Sequence, residues 1–141
     1  MKILLALLIT LSALPTLAQV EPVATPFTYI KFGSLLGRDF IEVRNPDYID
    51  TSKVHYLVEV EGRTDKEILA AAKALYGKDY KCMLAEHFTE AMHAIGINVT
   101  DKVDMQLYLF SWGHKTFDLE DVPSTEDNVY EIQFSDERYC D

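Results

Sequence analysis

One stretch of this chain, residues 64–96, has the pattern of helices, and segments that alternate like β-strands flank it on both sides. Thr64 and Glu67 have the spacing of a capping box, in which each side chain satisfies the other residue's backbone N–H. Apolar residues then recur at helical spacing, at Ile68, Ala72, Leu75 and Tyr76 and again at Leu84, Phe88, Ala91 and Ile95. Gly77 between the two sets predicts two helices with a tight joint. One bent helix is the alternative, since an internal glycine costs a helix only about 1 kcal/mol.

The flanking segments alternate apolar and polar residues with the period of two that half-buried strands require. Strands are predicted at residues 27–32, 39–44, 53–61, 103–110 and 128–135, the last with Tyr130, Ile132 and Phe134 facing inward. Residues 111–127 carry Pro123 and five acidic residues, and they are predicted to be irregular. The order β-β-β-α-α-β-β predicts an α+β fold, a mostly antiparallel sheet with one face covered by a helical pair.

The N-terminus has the organisation of a secretory signal peptide. Lys2 precedes an apolar run over residues 3–14, and small residues at the following site predict cleavage after Ala18. The run is shorter than the roughly 20 residues that span a bilayer, so no stable membrane anchor is expected after signal removal. We therefore predict a secreted or periplasmic protein. Its parts are a signal peptide, a flexible leader and a single domain, at residues 1–18, 19–26 and 27–141.

The predicted mature chain is strongly acidic. Without the first 18 residues it has 123 residues, with 12 basic and 23 acidic side chains. Binding to a nucleic-acid backbone requires Lys and Arg to displace counterions, so this balance argues against a nucleic-acid partner. An acidic surface favours either high solubility or a basic protein partner.

Cys82 and Cys140 are the two cysteines of the chain. An even count in an oxidising compartment predicts one disulfide bridge. This bridge would close a long loop and pin the C-terminal tail to the second predicted helix. The chain has no CxxC pair and no third ligand at zinc spacing, so no redox role, metal site or cofactor is predicted.

No residue is predicted to be catalytic, because the GxSxG, SxxK, P-loop, GxGxxG and HExxH motifs do not occur. Glu90 and His93 have the spacing of half a di-iron carboxylate motif, but the chain offers no second half. They share a helix side with Cys82 and Glu86, and this side is predicted to be solvated. The acidic residues after Phe110 lack the spacing of a calcium-binding loop.

His55 and Glu59 are expected on the same face of a strand, since they lie four residues apart. They could form a cross-sheet ion pair or an acid–base couple. The second possibility supports an alternative function, a small secreted hydrolase with a scattered His/Glu site. A structural or envelope-stress component without a small ligand is a third hypothesis.

The only tryptophan, Trp112, follows a predicted strand whose alternation places it on the face of Tyr108 and Phe110. His114 and Phe117 come shortly after it. Tryptophan is favoured at binding hot spots, so we predict that these five residues bind another protein, whose basic rim meets the acidic residues that follow. The alternative is that Trp112 folds back over the sheet and caps the core.

These observations together favour a small secreted or periplasmic protein-binding module, inhibitor or immunity-like, without catalytic activity. The expected partner is a protein, and its basic character is inferred from the acidic charge of this chain.

Overall fold

An antiparallel sheet forms one layer of the structure, a computed structural model that describes residues 23–141. Its strands are β1 (Tyr29–Leu35), β2 (Arg38–Arg44), β3 (His55–Val60), β4 (Arg63–Thr64), β5 (Lys102–Leu109) and β6 (Lys115–Pro123). Their order across the sheet is β1-β2-β3-β5-β6, and the short β4 pairs with the end of β3. Every pairing is antiparallel, which confirms the predicted fold class.

Helices form the second layer. They are α1 (Asp65–Tyr76), α2 (Tyr80–Glu86), α3 (Phe88–Ala94) and α4 (Glu126–Gln133). α1 begins at the predicted capping box, where the Thr64 hydroxyl accepts from the Glu67 N–H at 3.2 Å. The Glu67 carboxylate in turn accepts from the Thr64 N–H at 3.0 Å. The first helix therefore starts where local sequence places it.

The joint in the helical block lies at Gly77, as predicted. Gly77 has a φ of 57°, ends α1 and opens a single 3₁₀ turn that leads into α2. The prediction of two helices instead of one bent helix is confirmed. The second of them is interrupted at His87, which separates α2 from α3, and Asp79 makes no side-chain cap.

The core lies between the helices and one face of the sheet. Phe27 and Phe88 meet there edge to face, with ring centroids 5.4 Å apart. On β5, Val103, Met105 and Leu107 face this core, as the alternation predicts. The other face of the sheet carries half-buried and exposed residues, and none of the helices within residues 23–141 packs on it.

The predicted last strand, residues 128–135, is wrong, because most of this segment is in helix α4. Thr125 caps the helix by accepting from the Asn128 N–H at 3.1 Å. Ile132 is buried as expected, but Tyr130 and Phe134 are exposed, at 52% and 87%. A short apolar run fits a period of 2 and a period of 3.6 almost equally well, and here the cap decides.

The predicted irregular segment, residues 111–127, is also wrong over most of its length, because it contains β6. Phe117 and Leu119 alternate with polar residues in that strand and pair with β5. Asp and Glu are rare in strands, and their frequency here concealed the alternation. The sheet therefore ends in an acidic edge strand that the sequence did not predict.

The predicted signal peptide, residues 1–18, lies outside the described residues. The predicted leader, residues 19–26, is described from Val23 onward. In that part Ala24 and Thr25 are buried, and Thr25 exchanges backbone hydrogen bonds with Thr125. This part of the leader is packed on the domain, in contrast to the flexible leader that was predicted.

Candidate functional site

A row of rings crosses the face of the sheet that the helices leave open. We call Phe40, Tyr56, Tyr108 and His114 the aromatic row. Phe40 and Tyr56 meet edge to face with centroids 5.2 Å apart, and Tyr56 lies opposite Tyr108 in the β3–β5 register. The Phe40 ring lies over Gly33, where a Cβ would overlap it. The row therefore runs from β2 to the loop after β5.

The end of the row is fixed by a contact between Tyr108 and His114. Their rings stack with centroids 5.9 Å apart and planes 20° apart, and the Tyr108 hydroxyl is hydrogen-bonded to His114 Nδ1. His114 has a φ of 35°, which is rare for a residue with a side chain. The stack therefore holds His114 against the open face at the base of the loop.

The loop between β5 and β6, residues 110–114, presents two large apolar side chains to solvent. We call it the hairpin loop. Phe110 is 65% exposed and Trp112 is fully exposed, at 105%. The base of the loop is tied to the sheet, since the Phe110 N–H donates to the Val54 carbonyl at 3.1 Å. Trp112 therefore does not fold back to cap the core.

Carboxylates collect on the same open face at the opposite ends of β3, β5 and β6. This acidic patch lines a shallow depression of about 190 Å³ and comprises Glu59, Glu61, Asp104, Asp118 and Glu120. Within residues 23–141 none of these carboxylates is within ion-pair distance of a Lys or Arg. The negative charge of the patch is therefore left for solvent or for a partner.

Two bulges shape the acidic patch, one in β3 between Leu57 and Glu59 and one in β6. The β5–β6 register shifts between Val103 and Met105, and Asp121 there has a φ of 54°. The Asp121 N–H donates to Asp104 Oδ1 at 2.8 Å, and the Asp104 N–H donates to Glu61 Oε1 at 2.9 Å. The two carboxylates accept hydrogen bonds from backbone N–H groups that have no partner in the irregular strand pairing. These bonds hold the carboxylates in place.

Phe117, the fifth predicted binding residue, lies on the opposite face of the sheet from Tyr108. It packs from the helix-covered side, edge to face with His55 at 5.6 Å between centroids. The alternation of β5 could not predict this, because the hairpin loop resets which face each residue of β6 occupies. Of the other four residues, Tyr108 and His114 are in direct contact, and Phe110 and Trp112 lie in the hairpin loop between them in sequence.

His55 and Glu59 lie on opposite faces of the sheet. A bulge in β3 between Leu57 and Glu59 shifts the register. His55, only 3% exposed, therefore faces the core, whereas Glu59 lies opposite Gln106 on the open face. His55 Nδ1 is 3.2 Å from the Lys53 carbonyl, and burial lowers the pKa of His55 below its ordinary value. The structure does not form the acid–base couple.

The predicted bridge between Cys82 and Cys140 is present, with the two Cα atoms 4.8 Å apart. His87 lies beside the two sulfurs, close enough to complete a three-ligand cluster with them. The sulfur atoms are bonded to each other, so they are not available as thiolate ligands. The bridge therefore links the C-terminal tail covalently to α2.

The helix side predicted to be solvated is partly buried. Glu86 is buried and accepts from Gln133 Nε2 of α4 at 2.9 Å. His93 Nε2 is 2.6 Å from the Val99 carbonyl, and Glu90 lies 3.4 Å from His87 Nδ1. α4, which was not predicted, packs against α2 and contacts Glu86, whereas Glu90 and His93 are exposed. Glu90 and His93 therefore have separate partners and do not converge on one point.

Comparisons with protein-family models, with characterised proteins and with solved structures found no match to this chain. Within residues 23–141 no helix has both the length and the apolar character needed to cross a membrane.

Proposed function

We propose that this chain is a small secreted or periplasmic protein-binding module, inhibitor or immunity-like and without catalytic activity. Its binding site is the hairpin loop with the adjoining end of the aromatic row. The observation that carries the proposal is the full exposure of Trp112 together with the 65% exposure of Phe110 in the same short loop. Large apolar side chains that protrude together are unfavourable in water, and in folded proteins they usually mark a docking site.

The loop also has the construction expected of a binding site. The Phe110 backbone bond and the Tyr108–His114 stack hold its two ends, so little order must be gained when a partner arrives. Tryptophan and tyrosine provide large contact areas at a small cost in side-chain entropy. Trp112 is the expected anchor, because tryptophan dominates binding hot spots.

The acidic patch supports a partner with a basic rim. It lies on the same open face as the aromatic row, and within residues 23–141 none of its carboxylates is within ion-pair distance of a Lys or Arg. Complementary charge speeds association and selects among partners. The hairpin loop and the acidic patch together are complementary to a partner that has an apolar pocket bordered by Lys or Arg.

The signal-peptide pattern before Ala18 and the bridge between Cys82 and Cys140 support a location outside the cytoplasm. Disulfides persist in oxidising compartments and are rare in reducing ones.

The test uses the mature chain, residues 19–141, to capture partners from the extracellular or periplasmic fraction of the source organism. A captured protein is then purified and titrated directly. Trp112→Ala is expected to weaken its binding by about 2 kcal/mol or more, roughly 30-fold in Kd, and to leave the unfolding midpoint unchanged.

Phe134→Ala provides the matched control, because Phe134 is also large and exposed but lies at the end of α4. It should not alter the affinity. Equal losses in the two variants, or unfolding caused by Trp112→Ala, would show that the hairpin loop is not the binding site.

A further inference from the structure

The outer edge of β6 has no neighbouring strand within the described part of the chain. β6 is last in the sheet order, and its backbone bonds within the strand run only to β5. The strand spans Lys115–Pro123 and its surface is largely exposed. A free edge of this kind is a template for pairing with another chain.

The hydrogen bonds between β5 and β3 indicate which backbone groups of β6 face outward. Just beyond β5, the Phe110 N–H donates to the carbonyl of Val54, the residue before β3. The Asp104 carbonyl of β5 accepts from the N–H of Glu61, the residue after β3, so even-numbered residues of β5 bond toward β3. Residues alternate sides along an antiparallel ladder, so Met105, Leu107 and Leu109 bond toward β6. Their partners in β6 are Leu119, Phe117 and Lys115. The N–H and C=O groups of Thr116, Asp118 and Glu120 therefore face solvent.

The side chains of the same three residues lie on the open face. Asp118 is opposite Gln106, and Gln106 Nε2 donates to Asp118 Oδ1 at 3.0 Å. Phe117 and Leu119, on the other face, are half-buried at the margin of the core. An added strand would therefore meet carboxylates on one face and apolar residues on the other.

We propose that β6 accepts an extended segment of the partner as an additional strand, with Lys or Arg at every second position and apolar residues between them. This inference rests on the proposed protein-binding function and defines how the partner is held. Directly opposed unlike charges stabilise neighbouring strands, and like charges destabilise them. Basic residues opposite Asp118 and Glu120 satisfy this rule.

A second copy of this chain is a poor occupant of the same edge. In an antiparallel pair of β6 strands centred on Leu119, Asp118 of one copy would lie opposite Glu120 of the other. That arrangement sets carboxylate against carboxylate, which is unfavourable. This register therefore disfavours pairing of two copies, whereas a strand with basic residues at these positions is favoured.

The test uses a fluorescent peptide of about six residues, with blocked termini, in which Lys and Val alternate. A peptide of the same composition, with its Lys and Val residues in separate blocks, has the same charge but no two-residue period. The alternating peptide should bind the mature protein about tenfold more tightly than the block peptide.

The second part of the test reverses charges on the protein and measures the affinity for the alternating peptide. Asp118→Lys combined with Glu120→Lys should weaken the alternating peptide about tenfold or more. Glu131→Lys combined with Asp136→Lys is the matched control, because both residues are exposed, lie away from β6 and give the same net charge. The control pair should leave the affinity within about twofold of the wild type.

Amide hydrogen exchange separates strand addition from charge attraction. The bound alternating peptide should protect the amides of Thr116, Asp118 and Glu120 selectively. Three outcomes overturn the inference: no binding of the alternating peptide, equal binding of the two peptides, or binding without protection of these amides. If any of them occurs while the purified partner still depends on Trp112, strand addition is refuted and the proposed function stands.

Discussion

The two edge strands of the sheet, β1 and β6, differ in whether other parts of the chain cover them. At β1 the C-terminal tail lies along the edge, and the Phe32 N–H donates to the Tyr139 hydroxyl at 3.2 Å. The bridge between Cys82 and Cys140 fastens the same tail to α2. At β6 nothing in the described part of the chain covers the edge, and the outward residues are largely acidic.

An uncovered edge strand invites pairing with other chains, and proteins protect such edges either by covering them or by placing charge on them. The chain covers the edge at β1 and places charge on the edge at β6. Covering an edge adds contacts within the chain, whereas charge leaves the backbone groups free. We therefore expect substitutions at the β1 edge to change stability and substitutions at the β6 edge to change binding.

Loss of the bridge should have the largest effect. Cys82→Ser combined with Cys140→Ser frees a loop of 58 residues, and the chain-entropy model gives a loss of about 4 kcal/mol in the free energy of unfolding. Urea denaturation of wild type and variant measures the difference. A loss below about 1 kcal/mol would mean that the covered edge does not depend on the bridge.

A smaller effect is expected when only the hydroxyl at the β1 edge is removed. Tyr139→Phe leaves the Phe32 N–H without its partner and should lower the free energy of unfolding by about 1 kcal/mol. Tyr130→Phe is the matched control, since Tyr130 is exposed on α4. Equal denaturation midpoints for the two variants would contradict the importance of the tail contact.

The sequence predicts most where the signals are local. The capping box at Thr64 and Glu67 specifies the start of α1, and the alternation of β5 specifies which of its residues are buried. α4 had a comparable signal, Thr125 followed by two acidic residues in the first turn. The alternation of Tyr130, Ile132 and Phe134 suggested a strand instead, although the Thr125 cap favours the helix, which packs against α2.

The site could be predicted in part for the same reason. The sequence places Trp112 just after the alternating strand β5, and the structure has its side chain fully exposed in the hairpin loop. Phe117 lies beyond the hairpin loop, and His55 is separated from Glu59 by a bulge. Each irregularity changes the face on which later residues lie, and no local pattern reveals it.

Acidic pH should lower the free energy of unfolding through His55, which packs on Phe117 of β6. Burial lowers the pKa of His55 in the folded state, so the unfolded chain binds its proton more readily. The stability from neutral His55 is complete above the unfolded pKa of about 6.5 and declines as pH falls from there toward the lower folded pKa.

Urea denaturation at about pH 7.5 and about pH 5.5 measures this decline. His55→Gln should make the decline shallower, because the buried group then no longer titrates. A decline of the same size in His55→Gln would assign the pH dependence to another group.

The smallest effects come from one carboxylate at each edge, and they test the comparison most directly. Glu137 at the β1 edge lies 3.5 Å from Lys31 Nζ and also accepts from the Tyr139 hydroxyl at 3.3 Å. Glu120 at the β6 edge has no such partner within residues 23–141. Glu137→Gln should therefore cost about 0.5 kcal/mol, as expected for a partly exposed ion pair, and Glu120→Gln should leave stability unchanged within error. The affinity for the alternating Lys–Val peptide should show the reverse order, since only Glu120 faces the added strand. If both substitutions change stability equally and affinity equally, the two edges are not specialised.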